Sequence, residues 1–309
     1  MRNVELALVR SNSSLRSEKR EEKMRKILVL FILAACAAAA GCKSAPGENE
    51  PVIEDRVASQ KAIDEADILF SKGKFYKAYQ KYEEGLRLYV RNPRREEIVK
   101  REIEDIGLKF LDGTIKTGWF GTNLFRSAHP ELGVEIVRKV VLRSSKQGYA
   151  FLPDAQYKLA TYLFKNERYE EAQREFEFLI ENFKDSYWTT ISEFLLAESF
   201  YLQNQGARFD EGTLADAQKH YEKFLEKAAG GVGRTDEKYV TQARARLEAI
   251  RNTMAENQYL VGKDYFDHGR YRSAAYVLRR VPTQYPGTTW ADKADQLLAK
   301  AQKKIDEER

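Results

Sequence analysis

The feature that most constrains this chain is a helical-hairpin pattern in residues Asp154–Lys184. Two amphipathic stretches flank a short polar turn at Lys165–Arg168, and each carries apolar or small side chains at helical spacing. These positions are Ala160, Leu163, Tyr169, Ala172, Phe176 and Leu179. Small residues let two helix backbones approach where they cross, and large ones fill the space beside the crossing. The segment is therefore predicted to fold as a closely packed helical hairpin.

The same spacing recurs twice elsewhere in the chain. Residues Gln258–Pro286 repeat it around a turn at Gly269, and residues Ala66–Gly85 repeat it around Gly73. The pattern resembles the tetratricopeptide repeat (TPR), a helical hairpin of about 34 residues that must stack on neighbours to bury its apolar face. We therefore predict an all-α fold, a right-handed superhelical solenoid of about five TPR-like hairpins plus a C-terminal capping helix.

The chain divides into three predicted parts. Residues 1–41 form a leader, residues 42–56 a flexible tether with Pro, Gly and acidic side chains, and residues 57–309 the TPR-like domain. The predicted repeats span about 58–92, 94–150, 154–185, 186–230 and 236–287, and the cap spans 289–308. Residues 112–129 are an insertion in the second repeat, and residues 203–213 lengthen the turn of the fourth.

A secretory signal is predicted within the leader. Two positive charges at Arg25 and Lys26 precede an apolar run at Ile27–Ala35 and small residues up to Gly41. Met24 directly precedes these charges and is a candidate for the true start of the chain. A transmembrane helix is the alternative, but the apolar run is short for a span. The leader is therefore interpreted as a cleaved signal peptide.

A lipid attachment site is predicted at the end of this signal. Ala39-Ala40-Gly41-Cys42 resembles a bacterial lipobox, in which a peptidase cuts before a cysteine that receives diacylglycerol. Leu33-Ala34-Ala35-Cys36 also fits, so Cys36 is the alternative site. Cys42 is favoured because the polar tether follows it directly. Because each buried CH₂ contributes about 0.8 kcal/mol, a multiply acylated Cys42 would hold the chain stably on a membrane.

Charge and side-chain chemistry argue against several function classes. The formal net charge is +5, but residues 1–41 supply +4 of it, so the body is nearly neutral and no nucleic-acid partner is predicted. Both cysteines lie before the repeats, and the three histidines (His129, His220 and His268) fall in different repeats, so no metal site is predicted. No phosphate loop, nucleophile elbow or His-Glu-x-x-His sequence is present. The chain is interpreted as a protein that is not an enzyme.

The predicted function is binding in a groove. First helices of stacked hairpins line a concave face, which can hold an extended or helical peptide. Residues two turns apart on these helices are mostly aromatic: Ile63, Phe70, Tyr157, Phe164, Phe194, Tyr201, Tyr259 and Phe266, with Lys165, Lys263 and Asp267 beside them. The alternative is that these rings pack against the adjoining repeat. Trp119 and Phe120 in the insertion are a second candidate contact, with a partner or a lipid surface, unless they fold back over their own repeats.

The combination of lipobox, tether and TPR-like hairpins resembles the BamD family, also called YfiO or ComL, of outer-membrane β-barrel assembly lipoproteins. The likeness covers about residues 27–304 and is strongest at Asp154–Ser199 and Tyr239–Pro286. In the second segment, Gln242–Arg251 (QARARLEAIR) continues into Asn257–Tyr271 (NQYLVGKDYFDHGRY), similar to the family's long helix entering its last repeat. The insertion in the second repeat and the longer turn in the fourth depart from the family pattern.

The resemblance implies a lipid-anchored scaffold on the periplasmic face of the outer membrane. Its partners would be a BamA-type barrel protein bound through a POTRA domain, other assembly lipoproteins and unfolded outer-membrane proteins. Residues implied for the substrate groove are Ile63, Asp67, Phe70, Tyr157 and Phe164, and those for the BamA-type partner are Tyr201, Lys263, Phe266 and Asp267. Another TPR envelope lipoprotein remains the alternative: a pilotin for a secretin or pilus, or a coordinator of cell-wall growth or division.

Overall fold

The computed structural model describes residues 55–117, 127–203, 211–231, 233 and 235–308. Its helices are α1 (Arg56–Ser71), α2 (Phe75–Leu88), α3 (Arg95–Arg101), α4 (Leu108–Leu111), α5 (Pro130–Ser144), α6 (Leu152–Lys165), α7 (Tyr169–Asn182), α8 (Thr189–Gln203), α9 (Glu211–Ala229), α10 (Glu237–Asp267), α11 (Tyr271–Leu278), α12 (Arg280–Gln284) and α13 (Thr289–Glu307). A π-helical segment, Glu102–Gly107, makes α3 and α4 one continuous helix, and a 3₁₀ turn at Ser145–Gln147 follows α5.

These helices form successive hairpins, and each hairpin packs on the next. α1 pairs with α2, the α3–α4 helix with α5, α6 with α7, α8 with α9, and α10 with α11. Contacts of α5 with α6, α7 with α8 and α9 with α10 link the hairpins, and α13 covers α10 and α11 at the end of the chain. The predicted fold class is confirmed: the chain is an all-α, TPR-like solenoid.

A short β-ladder interrupts the all-α pattern inside the second hairpin. Strand β1 (Lys116–Thr117) pairs antiparallel with β2 (Ser127–Ala128), with Lys116 opposite Ala128. The two strands flank residues 118–126, so the paired residues on either side of this part of the predicted insertion lie next to each other. The candidate contacts Trp119 and Phe120 lie outside the described residues.

The apolar core divides into three clusters along the chain. The first fills hairpins one to three, the second fills hairpin four with the N-terminal half of α10, and the third fills hairpin five with α13. Small residues permit the closest helix crossings. At Gly85 in α2, a Cβ atom would lie 2.7 Å from Cγ1 of Ile63 in α1, so only glycine allows this approach.

Candidate functional site

Five side chains form a polar cluster between the first and second hairpins, the Asp67 cluster: Asp67, Tyr82, Arg94, Glu97 and Arg101. Asp67 lies near the end of α1, where its Oδ1 accepts hydrogen bonds from Tyr82 Oη (2.6 Å) and Arg101 Nη1 (2.7 Å). Arg94, just before α3, donates to the other oxygen of Asp67 at 3.0 Å. Glu97 Oε1 accepts from both arginines, at 3.0 and 3.2 Å. The cluster thus ties α1, α2 and α3 together.

The electrostatics of this cluster keep Asp67 ionised. Burial alone would raise the pKa of Asp67, but hydrogen bonds from Tyr82 and Arg94 and the charges of Arg94 and Arg101 hold it below its ordinary value. Burial, with the hydrogen bond to Asp67, raises the pKa of Tyr82 to about 12. Because a third of the Asp67 side chain is exposed, the cluster is a surface site.

An aromatic ring lies directly beside these charges. The Arg101 guanidinium is 5.3 Å from the centre of the Phe70 ring, and Phe75 meets the same ring edge-on at 5.4 Å. Phe70 is half-buried, so part of it faces solvent next to the two arginines. Guanidinium groups bind carboxylates and stack on aromatic rings, so this surface is suited to recognising a peptide that offers either group.

The prediction that Ile63 points into this groove is wrong. Ile63 is fully buried in the first core cluster, where it packs against Gly85 at the crossing of α1 and α2. Phe70 lies two turns further along the same side of α1, beyond the crossing, and is only half covered. On this side of α1, the surface open to solvent therefore begins near Asp67.

Tyr157 and Phe164 on α6 are also half-buried, and neighbouring rings hold both. Tyr157 stacks on Trp188 at 4.1 Å with their planes 12° apart, which joins the third hairpin to the fourth. Phe164 meets Tyr169 edge-on at 5.8 Å inside its own hairpin. Packing against the adjoining repeat therefore accounts for part of the Tyr157 ring's surface, and packing inside the third hairpin accounts for part of the Phe164 ring's surface. Contact of either ring with a peptide stays a prediction.

A second polar cluster, the Glu198 cluster, joins the fourth hairpin to the long helix α10: Glu198, Tyr201, Tyr221, Gln242 and Arg246. Oε1 of the buried Glu198 accepts from Tyr221 Oη at 2.6 Å and from Arg246 Nε at 2.9 Å. The Arg246 guanidinium covers the Tyr201 ring at 4.3 Å. Tyr201, one of the residues implied for the partner, is thus held in place from α10.

The other residues implied for the partner lie further along α10. Lys263 and Asp267 form an ion pair one turn apart, and each is about half exposed. Phe266 meets Tyr271 of α11 edge-on at 5.3 Å and is half-buried. These contacts are local to hairpin five, whereas Tyr201 belongs to the Glu198 cluster. The structure therefore places the four residues in two groups.

Sequence reasoning named Asp67 and Tyr201 but missed the other members of both clusters. Glu198 stands out within α8, whose sequence is TTISEFLLAESFYLQ. Apart from hydroxyl groups and Gln203, the only polar side chains of this helix are the carboxylates Glu193 and Glu198. A carboxylate in such a helix needs a buried partner, which was a usable signal. Its partner Arg246, and Arg94 and Arg101 of the Asp67 cluster, are distant in sequence, so their roles appear only in the fold.

Three further findings concern the described part of the chain. Its His, Cys, Asp and Glu side chains form no group of three or more that could hold a metal ion. Every helix within it is too short or too polar to span a bilayer. The candidate acylation sites Cys42 and Cys36 lie outside it.

A family model described as YfiO, outer membrane lipoprotein, matches residues 146–309, which is more than half of the chain. The match includes hairpins three to five and α13, and it leaves the Asp67 cluster outside. Among curated proteins, none matches the chain. The chain belongs to the YfiO family of outer membrane lipoproteins.

Proposed function

We propose that this protein is a non-enzymatic scaffold of the outer-membrane β-barrel assembly machinery. A diacylglycerol group on Cys42 anchors it to the periplasmic face of the outer membrane. Hairpins four and five bind the POTRA domain of a BamA-type protein, and hairpin one receives unfolded barrel substrates. Other lipoproteins of the machinery complete the assembly. The proposal rests chiefly on the family match across residues 146–309.

The Glu198 cluster supports the assignment of a partner surface to the C-terminal hairpins. Glu198, Tyr221 and Arg246 fix α10 against α8 and α9 through hydrogen bonds of 2.6 to 3.2 Å. A binding surface built across two hairpins needs such a rigid joint, because a loose joint would add an entropic cost to binding. Tyr201 and the Lys263–Asp267 pair then lie on elements whose positions are fixed before the partner arrives.

The Asp67 cluster supports the assignment of substrate binding to hairpin one. Strands of outer-membrane barrels alternate apolar and polar residues and carry aromatic girdles at both membrane interfaces. Phe70 offers a partly exposed ring for an apolar or aromatic side chain, and Arg94 and Arg101 offer donors for carboxylates. Because Asp67 and Glu97 already pair with these arginines, an incoming anion would compete with them.

The proposed function is tested by identifying what the protein binds in its own envelope. Cells carrying a C-terminally tagged chain are crosslinked mildly, the envelopes are solubilised, and the copurifying proteins are identified. A barrel protein with POTRA domains is the expected result. Recovery of a secretin, or of cell-wall enzymes alone, would overturn the assembly role and favour the other class of TPR envelope lipoprotein.

The anchor is tested separately. Replacing Cys42 with Ser should abolish acyl incorporation and release the protein from the membrane fraction. Cys36→Ser is the matched control and should leave both unchanged. The opposite pattern would assign the anchor to Cys36. If neither cysteine is acylated, the proposed lipid anchor is refuted.

Substrate binding by hairpin one predicts a specific loss of affinity in the variant Phe70→Ala. Affinity for a peptide from the last strand of an outer-membrane barrel should fall about tenfold, or about 1.4 kcal/mol, because the ring beside Arg101 is removed. Phe178→Ala is the control, since Phe178 is a half-buried ring on α7 that packs on Phe183. Calorimetric titration measures both, and equal losses in the two variants would contradict a groove at Phe70.

A further inference from the structure

The first hairpin exposes a mixed apolar and basic surface at the end where the tether joins it. The backbone N–H of Asp55 donates to the carbonyl of Leu88 at 3.1 Å, which brings the start of α1 beside the end of α2. Residues 55–61 and 87–91 surround this bond, and we name them the tether-end patch. The Arg56 guanidinium covers the Tyr89 ring at 5.1 Å across it.

Two apolar side chains of this patch are exposed. Val57 is 81% exposed and Val90 is 44% exposed. Val57 lies on the side of α1 opposite its buried residues, Ser59, Ala62, Ile63 and Ala66, and Ile68 is a further exposed residue of that outer side. In a solenoid the outer face of a terminal repeat normally carries polar residues because no neighbour covers it. Exposed valines at this end of the array therefore indicate a contact surface.

The charges of the patch indicate what covers it. Residues 55–61 and 87–91 contain four cations, Arg56, Lys61, Arg87 and Arg91, and a single acid, Asp55. The carboxylate of Asp55 is used to cap α1, because it accepts from the Ala58 N–H at 2.9 Å. A basic surface with exposed apolar groups is the composition that binds anionic lipid headgroups while apolar side chains enter the acyl boundary.

The length of the tether places this surface near a membrane. Residues 43–54 separate Cys42 from Asp55, and a chain of that length spans at most about 45 Å. The patch is the part of the folded domain where this tether ends, so it lies closer along the chain to the proposed anchor than any other folded surface.

We propose that the tether-end patch is a second membrane contact, which lies against the anionic phospholipid surface and fixes the orientation of the solenoid at the bilayer. This inference rests on the proposed anchor at Cys42. A single flexible anchor leaves the domain free to rotate, whereas a second contact holds the first hairpin at the surface and turns the rest of the array in one direction. Val57 and Val90 then enter the interface, and Arg56, Lys61 and Arg87 meet the headgroups.

The experiment uses the acylated full chain in vesicles. When Cys42 carries the lipid and Cys36 leaves with the signal, the mature chain has no free thiol, so one introduced cysteine takes one fluorophore. Labels are placed by Val57→Cys and Val90→Cys, and by Tyr276→Cys as the control, since Tyr276 is a 70% exposed apolar residue on α11. Vesicles carry nitroxide-labelled lipid as quencher, with or without phosphatidylglycerol.

Quenching at positions 57 and 90 should exceed that at position 276 by at least about threefold in vesicles with phosphatidylglycerol. The excess should fall by about half or more in neutral vesicles, in high salt and in the charge-reversal variant Lys61→Glu with Arg87→Glu. Equal quenching at all three positions in protein that floats with the vesicles overturns this inference alone. Protein that does not float overturns the anchor as well.

Discussion

At the residue scale, Glu102 is a carboxyl group buried completely in the π segment of the second hairpin. Arg143 Nη2 lies 2.5 Å from its Oε2, while its Oε1 has no hydrogen-bond partner among the residues that the structure describes. Burial, together with the charge of Glu83, raises the pKa of Glu102 to about 7, against the attraction of Arg143 and of the more distant Arg95. The folded protein therefore holds a proton that the unfolded chain releases near pH 4.5.

This pKa predicts that folding stability falls as the pH rises from about 4.5 to about 7. In that window the folded state binds more protons than the unfolded state, and one pKa unit corresponds to about 1.4 kcal/mol. Glu102→Gln mimics the protonated form, so it should remove this dependence of stability on pH. At pH 8 its free energy of unfolding should exceed that of the parent by up to roughly 3 kcal/mol. Urea denaturation at pH 5 and pH 8 measures the difference. The exposed Glu96→Gln on α3 is the control, and an unchanged slope in Glu102→Gln would refute the assignment.

At the element scale, three hairpin turns share one backbone conformation with different residues. Gly73, Glu167 and Gly269 have φ of 69°, 60° and 73°, and the N–H of each bonds to the carbonyl three residues earlier. Only glycine adopts this left-handed region without strain, so the exposed Glu167 is held at a cost. The turn of the third hairpin, at Glu167, is thus the strained member of the set.

Exchanging these turn residues should move stability in opposite directions. Glu167→Gly relieves the strain and should raise the free energy of unfolding by about 0.5–1 kcal/mol, after the added flexibility of the unfolded chain is subtracted. Gly269→Ala should lower it by a similar amount. Apart from its chain neighbours, no described residue has an atom within 4 Å of a Cβ at position 269, so the effect is conformational. Urea denaturation checks both, and a shift of both variants in the same direction would contradict the argument.

The same turns show what the sequence could predict. Helical periodicity and the turn glycines were sufficient for the all-α class and for the hairpin of α6 and α7, because these depend on contacts close in the chain. Ile63 was misplaced because periodicity gives the side of a helix but not the position of the next helix across it. The Asp67 and Glu198 clusters bring together side chains up to 48 residues apart, which no local pattern encodes.

At the scale of the whole molecule, the three core clusters indicate that the array is not one cooperative unit. In a solenoid each hairpin contacts only its neighbours, so a local defect spreads no further than the interfaces it weakens. The third cluster unites the C-terminal half of α10 with α11 and α13, and its buried residues are distinct from those of hairpins one to three. The proposed partner-binding end can therefore loosen while the proposed substrate-binding end stays folded.

This separation predicts the effect of a charge buried in α13. Ala294 is fully buried in the third cluster, so Ala294→Asp places an unpaired carboxylate there and should cost at least about 3 kcal/mol locally. Amide hydrogen exchange should accelerate in α11, α13 and the end of α10, and stay unchanged in α1 to α7. The control Ala299→Asp makes the same substitution at an exposed position of the same helix. Its effect measures the loss of helix propensity alone, which is then subtracted from the effect of Ala294→Asp. Faster exchange throughout the array would instead mean that the clusters unfold together, and variants at one end could not then separate the two proposed binding activities.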